Sequence, residues 1–470
     1  MEKMSSSLSE SMDYMKQQLG IGTNFDVLYR VVEIGKKRGC FYMIDGLCKD
    51  EIMQKLMQHF MELKAEEIPS DVYGVSKQLV PYGEVDLKDQ WADILYSVMS
   101  GVVALFIDGF DRCILIDART YPARSVSEPE KDKVMRGSKD GFVETIVFNT
   151  ALIRRRIRSP QLRMEMMKAG TSSQTDIVLC YMEERVDHAF LQKIKDRILS
   201  LKVDALTLNQ ESLAECLYQR RWYNPFPKFK YTERPDTAAA QVLEGNIVIL
   251  VDNSPSVMIT PTSFFDVVEE ADDYYFPPIT GTYLRLSRMI IALMTYFVTP
   301  TYLLLMQYPQ WIPKGFEFIR VQDTVNVPLI WQLLILELAV DGLKLAAVNT
   351  PNMLSTPLSV MAALVLGEFS VKSGWFNSEV MLYMAFVAVA NYTQNSLEMG
   401  YALKFMRIIN LILTAIFGVW GYVAGVLILI ISIASNRTIS SQSYLYPLIP
   451  FNGKQLIHQI FRTRLPEARK

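Results

Sequence analysis

MIIALMTYFVTPTYLLLMQYPQWIP, Met289 to Pro313, runs for 25 residues without a charged side chain. A helix satisfies its own backbone hydrogen bonds, and about 20 apolar residues reach across a hydrocarbon layer ~30 Å thick, so this stretch reads as a membrane helix. Its internal Pro300 is tolerated better there than in a soluble helix. Further charge-free runs follow at Leu345 to Gly367, Val380 to Leu397 and Ile408 to Asn436, and a fifth apolar element, Val327 to Val348, carries Glu337, Asp341 and Lys344. The chain has 48 Lys and Arg and 50 Asp and Glu, yet residues 289–436 hold only 13 of these. That contrast separates an all-α polytopic membrane domain, 285–436, from a charged region before it. The last run, extended back to Tyr401, would be roughly 50 Å long as a single helix, so Gly418 and Gly421 are expected to bracket a turn. Four to six spans result.

Working outward, residues 1–284 read as an α/β cytoplasmic region of two small subdomains. Residues 1–23 form a polar N-terminal segment. In subdomain 1, 24–118, short apolar runs at Cys40 to Ile44, Val102 to Ile107 and Cys113 to Ile116 read as buried strands, and Lys49 to Lys64 and Asp86 to Met99 as helices. Residues 119–139 are polar, carry two prolines and read as a linker. Subdomain 2, 140–284, has expected helices at Asp140 to Arg158, Ala189 to Leu199 and Ser212 to Gln219, with strands at Ile177 to Tyr181, Ile247 to Val251 and Val257 to Ile259. Their topology does not follow from the pattern. Residues 437–470 are a basic cytoplasmic tail.

A formal charge of −2 and a pI near 6.1 offer no long-range attraction for nucleic acid. The five cysteines are scattered, with no CxxC, and precede the first apolar run, which fits reduced thiols in a cytosolic region. The N-terminal sequence has no apolar core of the kind an export signal needs, so this half is expected to stay inside. Arg285 and Arg288 before the first run, Lys404 and Arg407 at the last, and the basic tail put both termini on the cytoplasmic side. RGSKDGF at Arg136 to Phe142 lacks the spacing of a phosphate loop, and His59, His188 and His458 are isolated. No cofactor, metal or enzymatic grouping is called for.

Three polar sets lie in the apolar half. Glu337, Asp341 and Lys344 fall at i, i+4 and i+7 and share a helical face. Such a stripe faces a bundle interior or an aqueous path, unless the helix is interfacial with its charges among headgroups. Asn391, Gln394, Asn395 and Glu398 read as a second stripe, whose amides either coordinate a partly dehydrated ion or bond between helices. Arg407, Asn410 and Thr414 make a third, read chiefly as structural. In the soluble half Arg154, Arg155, Arg156 and Arg158 end a helix, where basic groups complement its dipole; the alternative is contact with a neighbouring subunit or anionic lipid.

Long motifs carry a resemblance. DARTYPAR at Asp117 to Arg124, KVMRGSKDGFVETIVFNTALIRRRIRSP at Lys133 to Pro160, TDIVLCY at Thr175 to Tyr181, YTERPD at Tyr231 to Asp236, EGNIVILVDNSPSVMITP at Glu244 to Pro261 and SYLYPLIPF at Ser443 to Phe451 resemble the A subunits of spore germination receptors. Two of them, DARTYPAR and KDGFVETIVFNTALIRRRIR, are nearest to a stage V sporulation branch. The resemblance implies a protein of the spore inner membrane with its soluble half facing the core. It implies a homo-oligomer that releases monovalent cations or amplifies their release, with a small membrane partner and other germination proteins. A signal-relay subunit that conducts nothing is the competing expectation.

Overall fold

A computed structural model of the chain describes residues 3–120, 134–218, 223–351, 356, 359–394, 396–438 and 443–462. The chain divides into two compact units: one holds the residues before Arg220 together with Phe229–Pro261, the other the segment ending at Lys228 and everything from Thr262.

In the first unit, helix α1 (Leu8–Leu19) precedes a sheet of β1 (Val27–Ile34), β2 (Lys37–Ile44), β3 (Val85–Lys88), β4 (Val103–Ile107) and β5 (Cys113–Ile116), in the order β1-β2-β4-β5-β3 and antiparallel throughout. Helices α2 (Asp50–Glu62) and α3 (Val72–Gln78) lie between β2 and β3, and α4 (Trp91–Met99) between β3 and β4. Residues 1–23 are thus not merely a polar segment. Ser7 caps α1 by accepting from the Glu10 amide, and Leu8, Met15 and Leu19 are buried in the core with Trp91 and Phe106. Their helical spacing was hidden among Ser, Glu and Lys. The Asp86 to Met99 helix is also half correct: Val85–Lys88 pairs with β5 as an edge strand before α4 begins.

The second sheet has β6 (Leu162–Ala169), β7 (Thr175–Met182), β8 (Lys230–Thr232), β9 (Ile247–Val251) and β10 (Val257–Thr260) in the order β6-β7-β9-β10-β8, again antiparallel. Its helices are α5 (Ile146–Arg156) before β6, α6 (His188–Leu199) and α7 (Gln210–Leu217) after β7, and α8 (Pro235–Leu243) before β9. Element for element this repeats the first subdomain: helix, hairpin, two helices, edge strand, helix, hairpin. The continuous apolar runs became central strands because both faces are covered. The edge strands β6 and β8, with mixed polarity, carried no such mark in the sequence.

The second unit is helical. Short helices α9 (Phe264–Val268) and α10 (Asp272–Tyr275) lead into α11 (Pro278–Gln307), followed by α12 (Leu329–Asn349), α13 (Ser378–Tyr392), α14 (Leu397–Phe417), α15 (Val419–Ala434) and α16 (Gly453–Ile460). By length and composition α11 and α14 are apolar enough to cross a membrane; α13 and α15 are apolar but shorter, with 15 and 16 residues. The expected turn falls at Gly418, whose φ of 57° and ψ of −130° suit only glycine, and α14 and α15 fold back as a hairpin. Gly421 lies against the Leu413 carbonyl and Gly425 against the Asn410 side chain. α12 and α13 run parallel: Gln332 and Asn377 bond near their first turns, and Lys344 meets the Tyr392 ring near their last.

Candidate functional site: an ion network inside the helical unit

On α12 the apolar stretch Leu329 to Leu336 is followed by Glu337, Asp341 and Lys344, which form one stripe as their spacing predicts. Packing separates their environments. Glu337 is buried, Asp341 keeps 35% of its side chain exposed, and Lys344 is half-buried. Across from them α14 supplies buried Lys404 and Arg407. Arg407 donates from Nε and Nη2 to Glu337 Oε1 at 2.7 and 2.6 Å, and from Nη1 to the Thr295 carbonyl of α11 at 2.7 Å. Lys404 Nζ lies 3.5 Å from Glu337 Oε2, donates to the Glu337 carbonyl at 3.1 Å and pairs with Asp341. Lys344 Nζ stands 4.6 Å from the centre of the Tyr401 ring.

Two carboxylates and two cations therefore neutralise each other among apolar helices, where an unpaired charge is costly. Further along α14, Asn410 Nδ2 donates to the Tyr296 hydroxyl at 3.0 Å, and Thr414 Oγ1 donates to Asn410 Oδ1 at 3.2 Å. The set Arg407, Asn410 and Thr414 thus joins α14 to α11 and α12. A cavity of about 20 Å³, room for roughly one water, is lined by Glu337, Asp341, Lys344, Asn391, Lys404 and Arg407.

The second expected stripe does not form. α13 stops at Tyr392, and Ser396 caps α14 by accepting from the Met399 amide at 3.2 Å, so no helical period connects Asn391 to Glu398. Asn391 Oδ1 and Gln394 Nε2 are buried without a hydrogen-bond partner, and Asn391 packs on Gly400. Glu398 is half-buried in the first turn of α14. Asn395 lies outside the described residues.

The arginine cluster divides likewise. Arg154 is fully buried, its Nε and Nη2 donating to both oxygens of Asp26 at 2.9 Å and its Nη1 to the Leu162 carbonyl at 3.1 Å. Beside it Asn24 accepts from the Met164 amide at 2.7 Å, so the pair stitches the two sheets together. Burial corrects the expectation of a solvated helix end, or of a subunit or lipid contact, for Arg154. Arg156 bonds Asp140 and Ser138, while Arg155 and Arg158 are exposed.

Sequence reading also missed what the flanking cations bind. Arg285 bonds Glu269 at 2.8 Å and Asp273 at 3.2 Å; Arg288 pairs with Glu270 and Asp273 and donates to the Val268 carbonyl at 2.7 Å. The sequence marks these residues, with Lys404 and Arg407, as positive flanks but does not name their partners. Acidic residues in EEADD at Glu269 to Asp273, and on α12, were the available signal.

Comparison with known proteins gives one family. The profile of the Bacillus/Clostridium GerA spore germination proteins matches residues 13–470. Stage V sporulation protein AF of Bacillus subtilis (strain 168) is 37% identical over 98% of this chain and 93% of its own length. Spore germination protein KA of the same organism is 26% identical over 98% and 85%, and the uncharacterized membrane protein YfkQ 28% over 92% and 84%. Among solved structures, the N-terminal domain of the A subunit of the Bacillus megaterium spore germinant receptor GerK3 is similar over 56% of this chain and 98% of that one, with 28% identity and a TM-score of 0.44.

Proposed function

The chain belongs to the Bacillus/Clostridium GerA family of spore germination proteins, as its long motifs implied, and from this we propose a membrane subunit of the germination apparatus whose helical half conducts cations. It would sit in the spore inner membrane as a homo-oligomer, with both termini on the core side. α12 and α13 run parallel, which calls for a return of the chain between them and makes six crossings with α11, α14 and α15. No cofactor takes part. Monovalent cations are the cargo, and a small membrane partner and other germination proteins supply the stimulus.

The observation that carries this reading is the meeting of Glu337, Asp341, Lys344, Lys404 and Arg407 around a small cavity inside apolar helices. Ionisable groups are rare at such depth and concentrate where ions or water pass. In the arrangement described, the acids are neutralised by Lys404 and Arg407. Parting Arg407 and Lys404 from Glu337 and Asp341 would expose two carboxylates, which favour cations, while Asn391 Oδ1 and Gln394 Nε2 offer polar atoms that need a partner.

The test is potassium flux from liposomes holding the purified chain, with and without its membrane partner. We expect flux, and a loss of cation over anion preference in Asp341→Asn. Absence of flux in both preparations favours the second reading, a signal-relay subunit. One observation supports that alternative: Glu337 is enclosed between α12 and α14 of a single chain, as a structural ion pair would be.

A further inference from the structure

α16 is a short helix whose apolar and polar residues separate cleanly: Leu456, Ile457 and Ile460 against Lys454, Gln455, His458 and Gln459. Around it Leu448, Ile449, Phe451, Ile457 and Phe461 are all exposed, Phe451 to 75%. Apolar side chains gathered in this way on so short a segment mark a surface that is covered in use.

Its position says by what. α16 is pinned to the first turns of α11: Arg285 Nη1 donates to the carbonyls of His458 and Gln459 at 3.0 and 2.9 Å, and the Arg462 amide donates to Thr282 Oγ1 at 3.1 Å. Gln459 Nε2 also donates to Asp266 Oδ1 at 3.1 Å. The charge-free run of α11 begins at Met289, so at about 1.5 Å per residue the pinning points lie roughly 6–10 Å below it along the helix axis. The headgroup layer on each side of the ~30 Å hydrocarbon core is about 5–8 Å thick, so the Arg285 contacts fall within it and the Thr282 contact at its outer edge. At the same level Ile279 and Tyr283 of α11 are exposed to 82% and 69%, and Leu293 continues the apolar surface upward. A tyrosine there matches the aromatic belt of membrane helices.

We propose that α16 and the Leu448 to Phe451 turn lie in the headgroup region of the bilayer as an interfacial anchor, lipid rather than protein covering their exposed face. The inference rests on the membrane reading above. Through Arg285 the anchor is joined to Glu269 and Asp273, so lipid contact fixes the ends of α10 and α11 together.

The full-length chain is tested in phosphatidylethanolamine and phosphatidylglycerol vesicles, with the photoreactive residue p-benzoylphenylalanine replacing Phe451, Ile457, Leu293 or Tyr73, one at a time. All four native side chains are exposed, so each variant should keep the parent's elution profile. We expect lipid adducts at 451 and 457 comparable to those at 293 and about tenfold above those at 73. Adducts at 293 with only the Tyr73 level at 451 and 457, or protein cross-links there in place of lipid, overturn the anchor and leave the membrane reading standing. No adduct at 293 removes the membrane reading and the anchor with it.

Discussion

At Glu337 a carboxylate sits in an apolar helix and is held by two cations from another. Removing the charge in Glu337→Gln leaves Arg407 and Lys404 buried with a single acid between them, and breaking such a pair costs about 3–5 kcal/mol. We expect the unfolding midpoint of the detergent-solubilised chain to fall by several degrees. Asp341→Asn, at a partly exposed site, should cost at most about 1 kcal/mol and move it little. Equal midpoints for Glu337→Gln and the parent would show that the network contributes nothing to packing. Arg154 illustrates the same physics in the soluble unit, where the pairing with Asp26 ties α5 to the loop before β1. The stripe of Glu337, Asp341 and Lys344 was readable from helical period alone. Its partners were not, since a period says which side chains share a face and nothing about which helix that face meets.

Among the elements, the α14–α15 hairpin depends on close backbone approach. A Cβ at Gly421 would collide with the Leu413 carbonyl, and one at Gly425 with the Asn410 side chain. Gly421→Ala should therefore push the two helices apart and lower the unfolding midpoint. Gly425→Ala should do so less, because a side chain can yield where backbone cannot. Gly342→Ala, on the exposed face of α12, meets nothing within 4 Å and should be neutral or gain up to about 1 kcal/mol of helix propensity. If Gly421→Ala behaved like Gly342→Ala, the hairpin contact would be wrong. Here the sequence had marked the place, as an apolar run too long for one helix with glycines near its middle. It had also suggested one continuous stripe through Asn391 and Glu398, which Ser396 interrupts by capping a new helix; a capping serine inside an apolar run is easily passed over.

For the whole molecule, the six crossings we propose would place the α11–α12 connection outside and α16 inside. In intact cells expressing the chain, a membrane-impermeant thiol reagent should label Lys314→Cys and leave Lys454→Cys unlabelled until the membrane is opened. Labelling of both in intact cells would mean an even number of crossings between them and would overturn this arrangement. The contrast between a charged α/β region and an apolar helical one was determined by the sequence, because burial in lipid and burial in a water-surrounded core select side chains differently, and the choice is made residue by residue. Central strands and amphipathic helices were legible for the same reason. Tertiary structure decided what no local pattern holds: that two subdomains repeat one antiparallel strand order, that α1 belongs to a core, and that Arg285, Arg288, Lys404 and Arg407 are neutralised by acids distant or hidden in the chain. Pairing of strands and of buried charges is a property of two surfaces brought together, and only the folded chain brings them together.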